Sequence, residues 1–114
     1  MQNSQGAPTP AVFNVLLALA DGDKHGYAIL KDVAEHTGGQ VQLSTGTLYG
    51  IIKRLLEDGM IVEVRSRPAI PGDDARRRYY RLTPEGRAVA AEEARRMERL
   101  LARARSTRLI QTHA

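Results

Sequence analysis

Apolar residues fall along the chain in three blocks with helical spacing, then two short alternating segments, then one long striped block. Thr9-Pro10 reads as an N-cap followed by proline at the first helical position, where its missing N–H costs nothing. Val12, Phe13, Val15, Leu16, Leu17 and Leu19 follow, apolar on most sides, so this helix is expected at the centre of the core. Asp21-Gly22-Asp23 stops it. A second helix is predicted from about Lys24 to Thr37, with Tyr27, Leu30, Val33 and Ala34 at helical spacing. Gly38-Gly39 ends it, since a helix terminus often needs a left-handed residue. Ser44 opens a third helix, in which Leu48, Ile51, Ile52, Leu55 and Leu56 mark one face, and Gly59 closes it.

The spacing then changes. Met60 to Val64 predicts a short strand, and Arg78 to Leu82 a second one antiparallel to it. Between them lie Pro68, Pro71, Gly72 and the paired Asp73-Asp74, which is turn chemistry. Thr83-Pro84-Glu85-Gly86 supplies an N-cap, proline at the first helical position and an acid in the first turn. The helix it starts runs to about Ser106, roughly 34 Å at 1.5 Å per residue. Its stripe is Ala90, Ala94, Met97, Leu101 and Ala104, with Val89 and Leu100 alongside, set among Glu and Arg at i, i+3 or i+4 spacing. The expected fold is mostly α with a small β-hairpin: a winged helix-turn-helix followed by a long C-terminal helix. Residues 1–8 are expected to be a flexible tail, 9–83 the winged helix-turn-helix domain, 84–106 the long helix and 107–114 a second tail.

Composition narrows the function classes. A chain of 114 residues holds one core. With four Tyr, one Phe and no Trp, that core must be built from aliphatic side chains, which suits packed helices. The absence of cysteine excludes disulfides, thiolate metal sites and Cys nucleophiles. No apolar run approaches the roughly 18–20 residues that span a bilayer, and the start lacks the pattern of a signal peptide. A cytoplasmic protein is expected. His25, His36 and His113 do not stand at ligand spacing, so no metal is expected. Asp73-Asp74, flanked by Gly72 and arginines, reads as a solvated loop. No nucleophile–base pairing or phosphate-binding loop appears, so neither an enzyme nor a cofactor is expected.

Charge points elsewhere. The net charge is +4, and the segment from Glu63 to Arg87, with seven arginines against four acids, supplies +3 of it. The second and third helices, joined by a short glycine-bearing turn, make a helix-turn-helix candidate. With the apolar face of the third helix packed inward, Thr45, Thr47, Tyr49, Gly50, Lys53 and Arg54 face outward. Small residues at its N-terminal end allow close approach to DNA, and free N–H groups there favour a phosphate. An α-helix fits the major groove and reads bases with its N-terminal residues. Ser44, Thr45, Thr47, Tyr49 and Lys53 are therefore the candidate recognition residues. Arg65, Arg67, Arg76, Arg77 and Arg78 flank the turn, where a wing would meet the DNA backbone or the minor groove. Arg77 and Arg78 would point to opposite faces if the strand has started, so the arginines cannot all touch DNA.

Three ordered motifs, LLALADGDKHGYAILKDV (16–33), STGTLYGIIKRLLEDGMI (44–61) and RRRYYRLTPEGR (76–87), resemble those of the PadR-type transcriptional regulators. The resemblance covers roughly residues 10–90. It departs at Thr45, where the family commonly has proline, and in the variable turn PAIPGDDA; the single long helix after the wing is similar to the shorter subfamily. It implies binding to double-stranded DNA, dimerisation through the last helix, repression at a palindromic operator, and relief by a small-molecule effector of unknown identity. The expected dimer contacts are Val89, Ala90, Ala94, Met97, Leu100, Leu101 and Ala104. His25-Gly26-Tyr27 is a hallmark read as structural: His25 caps or packs, Gly26 permits close helix approach, and Tyr27 is either core or a phosphate contact. Without Trp, an effector clamp of stacked indoles is excluded, although Phe13 is able to contribute. Two rival readings remain: a winged helix used for protein–protein contact, and a ligand carrier with incidental DNA affinity.

Overall fold

The Thr9 hydroxyl accepts the Val12 N–H at 3.2 Å, and Pro10 follows as the first helical residue, so α1 runs Pro10–Ala18. The structure is a computed structural model that describes residues 7–65 and 78–111. Most of the tail expected over 1–8 and the centre of the turn between the strands lie outside the described residues.

The second helix starts later than the periodicity predicts. Lys24 and His25 form a short strand, β1, and α2 spans Gly26–His36. The cause is His25, whose Nδ1 accepts the Ala28 N–H at 3.2 Å and caps the helix from an extended backbone. Helix α3 spans Thr45–Glu57, β2 Ile61–Val64, β3 Tyr79–Leu82 and α4 Pro84–Ser106. The antiparallel sheet has the order β1-β3-β2, with Lys24 opposite Tyr80 and Ile61 opposite Leu82. Alternation along the sequence predicts only the two-stranded hairpin. The third strand is too short to leave a period there.

Val15, Leu16, Ile29, Leu48 and Ile61 are essentially fully buried, and Tyr80, Leu82 and Ala90 close the core around them. Truncating one of the leucines to alanine would cost about 2–5 kcal/mol. Phe13 is buried in this core and is not available to clamp a ligand. Tyr27, by contrast, is 66% exposed, which settles its position outside the core.

One junction ties the end of α3 to α4. Gly59 takes a positive φ of 74° after α3. Its carbonyl accepts the Thr83 hydroxyl at 2.7 Å, and the Met60 carbonyl accepts the Thr83 N–H at 3.0 Å. The Thr83 oxygen in turn accepts the Gly86 N–H and caps α4. A Cβ on Gly86 would overlap the Met60 carbonyl, so only glycine lets α4 start this close. The first turns of α4 therefore belong to the protomer's own core: Ala90 is buried and Val89 packs against it. This corrects the expected dimer stripe at Ala90. Beyond it, residues 94–103 are all exposed.

Candidate nucleic-acid interface

Helix α3 buries Leu48, Ile52 and Leu55. At 100° per residue, the opposite side carries Gly46, Gly50, Lys53 and Glu57, with Thr45 and Tyr49 on one flank and Thr47 and Arg54 on the other. All eight are exposed. Neither Gly46 nor Gly50 has any atom within 4 Å of where a Cβ would stand. Two glycines in a helix weaken it by about 1 kcal/mol each relative to alanine, and nothing among the described residues uses the space they leave.

The N-terminal end of α3 is capped by Ser44. The Ser44 oxygen accepts the Thr47 N–H at 3.0 Å, and the Ser44 hydroxyl donates to Thr47 Oγ1 at 2.9 Å. The Thr47 hydroxyl keeps its own hydrogen to donate outward. No acid stands in the first turn, so the positive end of the helix dipole is left uncompensated. Among the described residues, Lys53, Arg54 and Arg65 have no ion-pair partner.

Tyr49 is not simply a probe aimed at DNA. Its hydroxyl lies against the backbone of Gly26, where a Cβ would overlap it. It thus bridges the first turn of α2 and α3 while remaining 46% exposed. His25 joins the same corner, packing edge-on to Tyr79 with ring centroids 5.3 Å apart. Burial beside this corner pushes the Tyr80 hydroxyl above the usual tyrosine range. Tyr27 follows Gly26 at the exposed start of α2.

The basic segment divides by role. Arg65 and Arg78 are exposed at the two ends of the hairpin, Arg78 within 3.7 Å of Glu63. Arg67, Arg76 and Arg77 lie outside the described residues. Arg81 forms two hydrogen bonds to Asp23, at 3.0 and 2.9 Å, and holds that carboxyl below the usual range. Arg87 donates to the Ala20 carbonyl at 3.1 Å. These two arginines bind the turn after α1 to β3 and α4. Charge counted along the sequence gives no sign of that.

On α4, Met97, Leu100 and Leu101 are 39%, 54% and 41% exposed, with Ala94 exposed and Ala104 half-buried beside them. Arg96 makes two hydrogen bonds to the buried Glu93, at 2.8 and 2.6 Å, and holds its carboxyl low. After Ser106 the chain turns back through Arg108, at φ 63°, so that the Leu109 N–H meets the Ala104 carbonyl at 2.9 Å. Among the described residues no group of three or more His, Asp or Glu is placed to hold a metal, and no helix is long and apolar enough to cross a membrane.

Known proteins share this arrangement. Residues 15–92 match the model of the Transcriptional regulator PadR-like family. The chain is 34% identical over 87 residues to the transcriptional regulator Rv3488 of Mycobacterium tuberculosis, covering 76% of this chain and 75% of that one. It is similar to a PadR family transcription regulator from Clostridium difficile, with a TM-score of 0.70 and 27% identity over 90% of this chain and 100% of that one. Bacillus subtilis PadR, solved in complex with operator DNA, shares the fold at a TM-score of 0.60 and 23% identity, over 71% of this chain and 44% of that one.

Proposed function

We infer that this chain, which belongs to the PadR-like family of transcriptional regulators, binds a palindromic operator as a two-fold dimer in the cytoplasm and represses transcription there. The observation that carries the reading is the outer face of α3. Two glycines with open space around them, an uncompensated helix N-terminus and the cations Lys53 and Arg54 occur together on one exposed surface. A groove that must be approached closely by a helix accounts for all three. Ser44, Thr45, Thr47 and Lys53 meet the DNA, Tyr49 sets the angle of the helix, and Arg65 and Arg78 bring the wing to the backbone. A protein–protein role for the same fold leaves the uncompensated helix N-terminus and the cations beside it without a use.

Ala94, Met97, Leu100, Leu101 and Ala104 form the dimer contact. An exposed apolar stripe on a helix that leaves its own core calls for a partner, and the two-fold symmetry of such a pair places two α3 helices on successive major grooves. Selection from a pool of random duplexes tests the whole reading. The recovered sites should be inverted repeats with half-site centres about 10–10.5 base pairs apart. Recovery of unrelated sequences with no repeat would overturn it.

A further inference from the structure

The C-terminal end of α4 carries a cluster that neither the DNA contact nor the dimer stripe uses. Residues 99–114 hold four arginines and no Asp or Glu, as much positive charge as the +4 of the whole chain. Arg103, Arg105 and Arg108 have no ion pair or side-chain hydrogen bond among the described residues. The Nε of Arg105 is buried without an acceptor, which costs free energy until one is supplied. Arginines at a helix end can serve simply to offset its dipole. Here the last carbonyls are already occupied. The Ser106 and Thr107 hydroxyls donate to those of Arg103 and Ala104 at 3.0 and 3.1 Å, and the Arg108 N–H donates to that of Arg105 at 3.0 Å.

The hook beyond the helix sets an apolar pair beside these cations. Arg108 takes the left-handed backbone that glycine usually supplies at a helix end, and the chain behind it presents Leu109, 79% exposed, and Ile110, 41% exposed. With Arg105, Ser106, Arg108 and Gln111 they border an open recess of about 680 Å³. A nucleic-acid backbone would engage the arginines and leave the apolar pair without a use. A second copy of the chain is poorly matched, because the neighbouring acids of α4 are already taken. Glu92 holds Arg95 and Arg99, at 3.3 and 3.9 Å, and Glu93 holds Arg96. We propose that the hook docks an acidic polypeptide segment in which an apolar side chain stands among carboxylates. Guanidinium forks match carboxylates two bonds at a time, and clusters of them are a recurrent means of holding acidic motifs. The carboxylates supply the acceptor that Arg105 lacks, and Leu109 and Ile110 receive the apolar side chain between them. Nothing on α3 takes part, so the proposal stands apart from the DNA reading.

The test uses the full chain without DNA and two fluorescein-labelled peptides, Asp-Glu-Glu-Leu-Leu-Glu-Glu-Asp and the same peptide with serine in place of both leucines. Fluorescence anisotropy should show saturable binding of both, the leucine peptide the tighter. Arg105→Gln combined with Arg108→Gln should weaken both by about tenfold or more, the factor that one charge-assisted hydrogen bond is worth. Leu109→Ser should weaken the leucine peptide by about tenfold, the factor for burying one such side chain, and leave the serine peptide unchanged. Lys31→Gln, an exposed cation on α2, should change neither. A loss in Lys31→Gln equal to that in the arginine variant would reduce the effect to net charge and overturn the site. Equal affinity for the two peptides would overturn the apolar half of the proposal. No peptide binding, with phosphatidylglycerol vesicles bound by the wild type and not by Leu109→Ser, would overturn it in favour of a membrane surface. A changed oligomeric state of the arginine variant in light scattering would overturn it in favour of a second copy.

Discussion

Gly50 stands in the middle of the outer face of α3, with a negative φ and no atom within 4 Å of the missing Cβ. Alanine fits that backbone without strain, and it gives up less conformational freedom on folding. Gly50→Ala should therefore stabilise the protein by about 0.5–1 kcal/mol. For a domain of this size that is a rise in Tm of roughly 2–8 °C. The same methyl group stands where the helix would meet the groove. Inserting a methyl into a close-packed interface costs about 1–3 kcal/mol, which weakens affinity by roughly 5- to 150-fold. The two effects have opposite signs, which separates them from any general damage to the fold. Thermal melts followed by circular dichroism give the first, and titration of a labelled operator fragment gives the second. A variant that melts higher and binds as tightly as the wild type would show that this face does not meet DNA. One that melts lower would show that the open space is filled by something in the assembled protein.

Leu101→Glu should yield monomers and weaken operator binding together, measured by light scattering and gel shift; a wild type that is itself monomeric at micromolar concentration would remove the dimer. Replacing Arg76 and Arg77 with Ala should weaken binding to every sequence alike and flatten the plot of log affinity against log salt by about 0.9 for each phosphate no longer neutralised. An unchanged slope would leave the wing without a DNA role. Asp23 is held low by Arg81, so it contributes stability above the ordinary value of 3.8 and loses it as pH falls through the depressed value. Asp23→Asn should lower stability at neutral pH and remove part of the acid-induced destabilisation below pH 3.8, seen in urea melts across that range.

Where burial and local capping decide structure, the sequence is a sufficient guide. Ser44 and Thr83 each cap the helix that follows them, and α4 ends at Ser106 as its periodicity implies. Those features depend on residues within a turn of each other. What escapes a reading of the sequence depends on distant pairs. The strand at Lys24–His25 exists because β3 lies beside it, more than fifty residues away in sequence. Arg81 and Arg87 look like any other arginines in a basic run, and only the fold brings Asp23 and the Ala20 carbonyl to them. Ala90 shares the spacing of Ala94 and Met97, and periodicity has no means of telling a face covered by the protomer itself from one left for a partner. Gly26 is legible in part: a glycine opening a helix points to a close approach, but only the fold shows that the Tyr49 hydroxyl makes it.

The two flanks of α3 are held unequally. On one side the Tyr49 hydroxyl rests on Gly26, locking the recognition helix to the start of α2 at the angle the turn allows. At its C-terminal end the Gly59–Thr83–Gly86 junction fixes it to α4 through short hydrogen bonds. The remaining flank faces a cleft, where Thr47, Gly50 and Arg54 border open volume and only Ile51 and Leu55 reach its apolar floor. A helix restrained on two sides and open on the third has one direction in which it can yield. Packing on the firm sides resists displacement because close-packed interiors transmit strain and yield little. Displacement of the first turn of α4 therefore reaches the end of α3, to which it is pinned.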